Sequence, residues 1–117
     1  MGGVNPRVLG VRFARSFRLV RDPELGVVPR NTCSECVRFL EEHVVKAIRD
    51  NDEESLRLLY EFFLGVNDAI MGDYEDAIGN LDLEVYLRVM MGDQLYEELM
   101  DRLSQYTKKK EAERLGW

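Results

Sequence analysis

Residues 54 to 71, ESLRLLYEFFLGVNDAIM, constrain this chain most, because a helix drawn through them is apolar round most of its circumference. Leu56, Leu59, Tyr60, Phe63, Val66 and Ile70 make one face, and Leu58, Phe62 and Ala69 make a second. Only Glu54, Arg57, Glu61 and Asp68 keep a narrow polar strip. Such a helix must be covered on two sides, either as the centre of a helical core or as half of a subunit interface. The spacing therefore predicts a central helix over 54–71, with Leu58, Phe62 and Ala69 as candidate interface residues.

The elements on either side follow the same 3.6-residue logic. Cys33, Cys36, Val37, Leu40, Val44, Ala47 and Ile48 fall on about a third of a helical wheel, opposite Arg38, Glu41, Glu42 and Arg49. Thr32 with Glu35 three residues later reads as a capping box starting that helix. Asp50-Asn51-Asp52 stops it and restarts the next, with Asn51 or Asp50 as the cap. Met71-Gly72-Asp73 and Met91-Gly92-Asp93 are an echo twenty residues apart, each reading as a helix corner in which Gly ends one helix and Asp caps the next. A short helix is expected near Tyr74 to Ile78 and another over Leu83 to Met91. The last, from about Gln94, sets Leu95, Leu99, Leu103 and Tyr106 on one side, with Lys108, Lys109 and Lys110 in its final turns.

The expected fold class is all-α: a small bundle of four to five helices with an Arg-rich N-terminal arm. At 117 residues, 45% apolar and 32% charged, one folded domain is expected, divided into a basic arm (1–30) and an acidic helical body (31–117). Six arginines in the arm outweigh Asp22 and Glu24 to give +4, whereas residues 31 to 106 carry 6 basic and 18 acidic groups, or −12. The arm reads as helix or hairpin. Leu9, Phe13, Phe17 and Val20 recur at helical spacing and favour a helix from Pro6 to Arg21, ended by Asp22-Pro23 and followed by a loop to Asn31; Leu9, Val11 and Phe13 also alternate as in a strand.

No apolar run approaches the ~18 residues of a membrane span, and the N-terminus has no secretory pattern, so the chain is expected to be cytoplasmic and not membrane-bound. Two glutamines among abundant Arg, Glu, Val and Leu give it a thermophile-like composition. In a hyperthermophile an intracellular disulfide would be admissible.

Three constellations suggest chemistry. Cys33 and Cys36 at a helix start, with the single histidine His43, could form a disulfide or contribute to a zinc site, but zinc wants four ligands and the chain offers three here. Both sulfurs lie on the apolar stripe, which favours two small core residues. A thioredoxin-like role would need a strand leading into the helix, and Gly26-Val27-Val28-Pro29 is a poor one. Arg38 and His43 have the spacing of the Arg-x-x-x-x-His pair in HEPN-type ribonucleases, but Phe39 and the early position of the helix depart from that pattern, and His43 reads as a boundary residue. Asp73-Tyr74-Glu75-Asp76 followed by Glu98-Leu99-Met100-Asp101 is similar to the paired acidic motifs of all-α nucleotide pyrophosphohydrolases. That resemblance implies a magnesium site built from Asp73, Asp76, Glu98 and Asp101; Asp73 stands where the family has Glu, and a Gly-Asn break interrupts the intervening region. Arg12, Arg15 and Arg18, on one face of the expected arm helix, are phosphate-contact candidates, although a body at −12 would repel a polyanion.

No cofactor is required by these patterns. The reading they favour is a non-catalytic interaction or assembly module that is a homodimer or binds another protein. The alternatives are a metal-dependent nucleotide hydrolase and, third, a nucleic-acid-associated protein using the arm.

Overall fold

A computed structural model describes residues 5–72 and 83–116. Among them the chain is mostly helical, with five helices and one antiparallel two-stranded sheet: α1 (Pro6–Arg15), β1 (Phe17–Asp22), β2 (Gly26–Asn31), α2 (Ser34–Arg49), α3 (Glu53–Met71), α4 (Leu83–Met91) and α5 (Asp93–Arg114). The expected short helix at Tyr74 to Ile78, and the Asp73 half of the first Gly-Asp corner, lie outside the described residues. The described residues gather into two compact units, 5–40 with 61–72 and 41–60 with 83–116. The division passes through α2 and α3, so each unit takes half of each helix.

In the first unit, α1 starts where the Asn5 side chain accepts the Arg7 and Val8 amides at 2.9 and 3.4 Å, with Pro6 at the first helical position where no N–H is needed. It ends at Arg15, six residues before the boundary expected from periodicity. Ser16 turns its hydroxyl back onto the Arg12 carbonyl at 2.5 Å and its amide onto that of Phe13 at 3.2 Å. Asn31, at the end of β2, gives its side-chain amide to the same Phe13 carbonyl at 2.8 Å, and Thr32 donates to the Ser16 carbonyl through both its amide and its hydroxyl. The open carbonyls at the end of α1 are thus satisfied by the base of the hairpin.

The arm is therefore a helix followed by a hairpin, and the expected loop from Pro23 to Asn31 is mostly strand. Phe17 pairs with Asn31, Leu19 with Pro29, Val20 with Val28 and Asp22 with Gly26. The turn explains the change. Asp22 accepts the amides of Glu24 and Leu25 at 2.8 and 3.0 Å, Pro23 presets the turn's backbone, and Gly26 supplies the left-handed residue (φ 81°) that returns the chain into β2.

α1 crosses the C-terminal half of α3 at contact distance of their backbones. A methyl group placed on Gly10 would lie 1.9 Å from the Phe62 carbonyl oxygen, and one on Gly65 would lie 2.0 Å from that of Arg7. Each glycine is followed four residues later by a buried alanine, Ala14 and Ala69, so the two helices meet along matching stripes of small residues. Arg7 closes one end of the crossing with a 2.7 Å bond to Asp68. Leu9, Phe13, Phe17, Cys36, Leu40, Phe62 and Val66 fill the unit's core.

The second unit packs Val44 and Ala47 of α2, Leu59 of α3, Leu87 of α4 and Leu99 and Tyr106 of α5. The α3 cap is Asp52 rather than Asn51 or Asp50. Its carboxylate takes the Glu54 amide at 3.2 Å and the buried Ser55 hydroxyl at 2.8 Å, while Asn51 occupies the left-handed position (φ 50°). At the Gly92 corner (φ 87°) Asp93 is the first helical residue and not the cap; its carboxylate turns to Arg88. Arg88 also binds Glu84 at 3.0 Å and Glu97 at 2.8 Å and lies over the Tyr96 ring, joining α4 to α5. These carboxylates raise the guanidinium's pKa, so Arg88 stays charged at any working pH.

Candidate functional site

Cys33 immediately precedes α2, and its sulfur accepts the Cys36 amide at 3.2 Å, the place in a helix start that the expected capping box gave to Thr32. Thr32 is committed to Ser16, so no capping box forms; Asn31 instead holds the Cys33 amide at 2.9 Å. Both cysteines are buried, as the stripe predicts, but they are not two separate thiols: Cys33 and Cys36 are joined in a disulfide. Bonded sulfurs offer no thiolate to a metal. Because the bonded cysteines are only three positions apart, loss of the bond, by reduction with its gain of about two daltons or by Cys33→Ser with Cys36→Ser, is expected to cost no more than about 2 kcal/mol in a urea titration.

His43 is half-buried in the second unit, and burial pushes its pKa below the usual 6.5, with Lys46 adding to the effect and Glu42 and Asp52 opposing it. The unfolded chain thus takes up a proton near pH 6.5 that the folded chain refuses until lower pH, so stability falls as pH drops below 6.5. Asp68, held below the usual carboxylate range by Arg7, titrates later, lower in pH. Urea midpoints at pH 7 and 5.5 should fall in the natural chain and stay level in His43→Gln.

The described members of the remaining candidate groups form no common site. Asp73 and Asp76 lie outside the described residues; Glu98 and Asp101 are exposed on α5, where Asp101 accepts the Gln105 side chain at 3.1 Å. Among the described residues no group of three His, Cys, Asp or Glu side chains is placed to hold a metal ion. Phe62 and Ala69 are fully buried in the first unit and so belong to its core, whereas Leu58 is half-buried. Arg12 and Arg15 are on α1, with Arg12 bonded to Glu35 at 3.2 Å, whereas Arg18 is on β1; the three do not share a helical face. A depression of about 270 Å³ between Glu53, Arg57, Tyr106 and Lys109 is occupied by its own ion pairs, Lys109 to Glu53 at 2.6 Å and Arg57 to Glu54 at 2.5 Å, and nothing in it selects a ligand.

The hairpin is what sequence reasoning missed. Leu19 is 67% exposed and Val27 60%, on a sheet of two strands whose outer edges carry no third strand among the described residues, and Leu25, in the turn, is 74% exposed. Leu19, Pro29, Arg21 and Val27 share one face; Arg18, Arg30, Val20 and Val28 share the other. Arg18 stands directly opposite Arg30, a like-charge pair that a free hairpin tolerates at a cost. Asp-Pro-x-x-Gly between two Val- and Arg-containing runs was the available signal. No protein-family model, curated protein or solved structure matches the chain. No helix among the described residues is long and apolar enough to cross a membrane.

Proposed function

We propose that this chain is a non-catalytic interaction module that docks a partner protein through its β-hairpin. The observation that carries the reading is the exposure of Leu19 and Val27 on the strands, and of Leu25 in the turn, of a hairpin anchored to a helical core at Phe17. Apolar side chains grouped on an outward-facing element, flanked by Arg18, Arg21 and Arg30, mark a contact surface. Phe17 packs edge-on against Phe13 at 4.9 Å, and Asn31 and Thr32 tie the hairpin's base to α1, so the element is presented with little ordering left to lose on binding.

Self-association through the second face of α3, the homodimer expected from the sequence, loses the support of Phe62 and Ala69, which are core, and keeps that of half-buried Leu58 and of the opposed charges of arm and body. We propose a cytoplasmic location as well, which the Cys33–Cys36 disulfide admits if the source is a hyperthermophile.

Panning a random peptide-display library on the immobilised chain tests the proposal. Binders should emerge that compete with one another and are lost with Leu19→Ser, Val27→Ser, a double variant expected to melt like the natural chain because both positions are exposed. No binders, or binders indifferent to the double variant, would overturn it.

A further inference from the structure

We infer that the outer edge of β1 takes up an extended acidic segment of a partner protein as a third strand, with carboxylates beside Arg18 and Arg21 and apolar side chains beside Leu19 and Val20. This rests on the reading of the hairpin as the contact element and names its partner chemistry.

The register decides which edge is usable. Thr32 donates its amide to the Ser16 carbonyl, which makes that opposed pair a hydrogen-bonded one; alternation then makes Arg18 with Arg30 and Val20 with Val28 hydrogen-bonded pairs too. Leu19 and Arg21 in β1, and Val27 and Pro29 in β2, therefore direct their backbone groups outward. Pro29 has no N–H, so the outer edge of β2 is interrupted at its middle. On β1 the outward N–H and C=O groups of Leu19 and Arg21 have no backbone partner among the described residues. An edge with paired donors and acceptors and exposed side chains is a template for strand addition.

Charge selects the strand that is added. β1 offers Arg18, Leu19, Val20 and Arg21 in succession, and residues directly opposite one another in a sheet interact most strongly, opposite charges favourably. The complementary sequence is acidic, apolar, apolar, acidic, and that pattern reads the same in parallel and antiparallel addition. A carboxylate beside Arg18 also relieves its opposition to Arg30. Asp22, the acidic residue of the strands, is engaged by the turn amides of Glu24 and Leu25 and cannot do so as fully, although Arg30 approaches it at 3.9 Å. A second copy of β1 is disfavoured as the added strand, since it would bring two more arginines and no available carboxylate.

The test uses dye-labelled decapeptides and fluorescence anisotropy on the whole oxidised chain. A Glu-Val-Val-Glu core should bind, and a Lys-Val-Val-Lys core should bind at least about tenfold more weakly. Methylating the edge-facing backbone amides of the acidic peptide should abolish its binding. Arg18→Glu with Arg21→Glu should reverse the preference, so that the lysine peptide binds better; this gain separates recognition from misfolding. Equal binding of the methylated peptide, an unreversed preference, or tighter binding of a single-stranded DNA decamer each overturns the inference. If display selects Leu19-dependent binders that are not acidic, this inference fails while the interaction module stands; if it selects none, both fail.

Discussion

Gly10→Ala should destabilise the chain, although alanine is the better helix former by about 1 kcal/mol. The added methyl would lie 1.9 Å from the Phe62 carbonyl oxygen and 2.9 Å from the Val66 amide nitrogen, both backbone atoms of α3. A side chain in that place could rotate away; a helix backbone moves only as a whole. Separating α1 from α3 would then loosen Leu9, Phe13, Phe62 and Val66 together, so the expected net loss is about 3 kcal/mol, the upper end for overpacking. Gly65→Ala meets the Arg7 carbonyl oxygen at 2.0 Å and should cost a similar amount. Because the two substitutions open the same crossing, the double variant should lose clearly less than the sum. Urea titrations of the three variants check this, and a stabilised Gly10→Ala would mean that the helices do not meet there.

Phe62→Ala should be the costliest truncation in the first unit, at about 3–5 kcal/mol. Its ring is fully buried, with the Phe13 and Phe39 centroids each at 5.3 Å and Phe63 at 5.4 Å. Removing it leaves a cavity walled by aromatic rings that cannot collapse without abandoning one another. Small domains have ~5–15 kcal/mol in total, so the variant should lose most of its cooperative melting transition. Phe62→Leu, which keeps most of the volume, should retain the transition at a lower midpoint. An intact midpoint in Phe62→Ala would return this residue to the surface role that the α3 pattern first suggested.

That pattern shows where legibility ended. A helix apolar on two sides has to be covered twice, and residues 54 to 71 state as much without saying by what. The cover for Phe62 and Ala69 is α1, from the segment whose own periodicity was ambiguous. Phe17 illustrates the ambiguity: at helical spacing from Leu9 and Phe13, it packs against Phe13 in either conformation, and in the structure it does so from the first residue of a strand. Local pattern could not choose, because the choice came from Asn31 and Thr32 satisfying the end of α1 from fifteen or more residues away. The stripes Gly10-x-x-x-Ala14 and Gly65-x-x-x-Ala69 were visible but meaningless until the two helices were known to meet.

The candidate site was less legible than the fold. Arg18 was singled out for charge and placed with Arg12 and Arg15 by helical phase, and the strand removed that grouping while giving Arg18 new neighbours in Leu19, Arg30 and Arg21. Asp22-Pro23 was recognised as a stop when it is half of a hairpin turn completed by Gly26.

By itself, the order of residues determined the helices α2, α3, α4 and α5 to within a few positions and the buried stripe Cys36, Leu40, Val44 and Ala47, because 3.6-residue periodicity is a property of a segment and its solvent. It also determined the charge division between arm and body. Only the tertiary structure decided that Cys33 and Cys36 are bonded, that Phe62 and Ala69 of α3 are core, and that Leu19, Leu25 and Val27 stand exposed on a hairpin. Those outcomes depend on which segments meet, and a two-residue strand alternation or a four-residue glycine spacing acquires an energy only when its partner surface arrives.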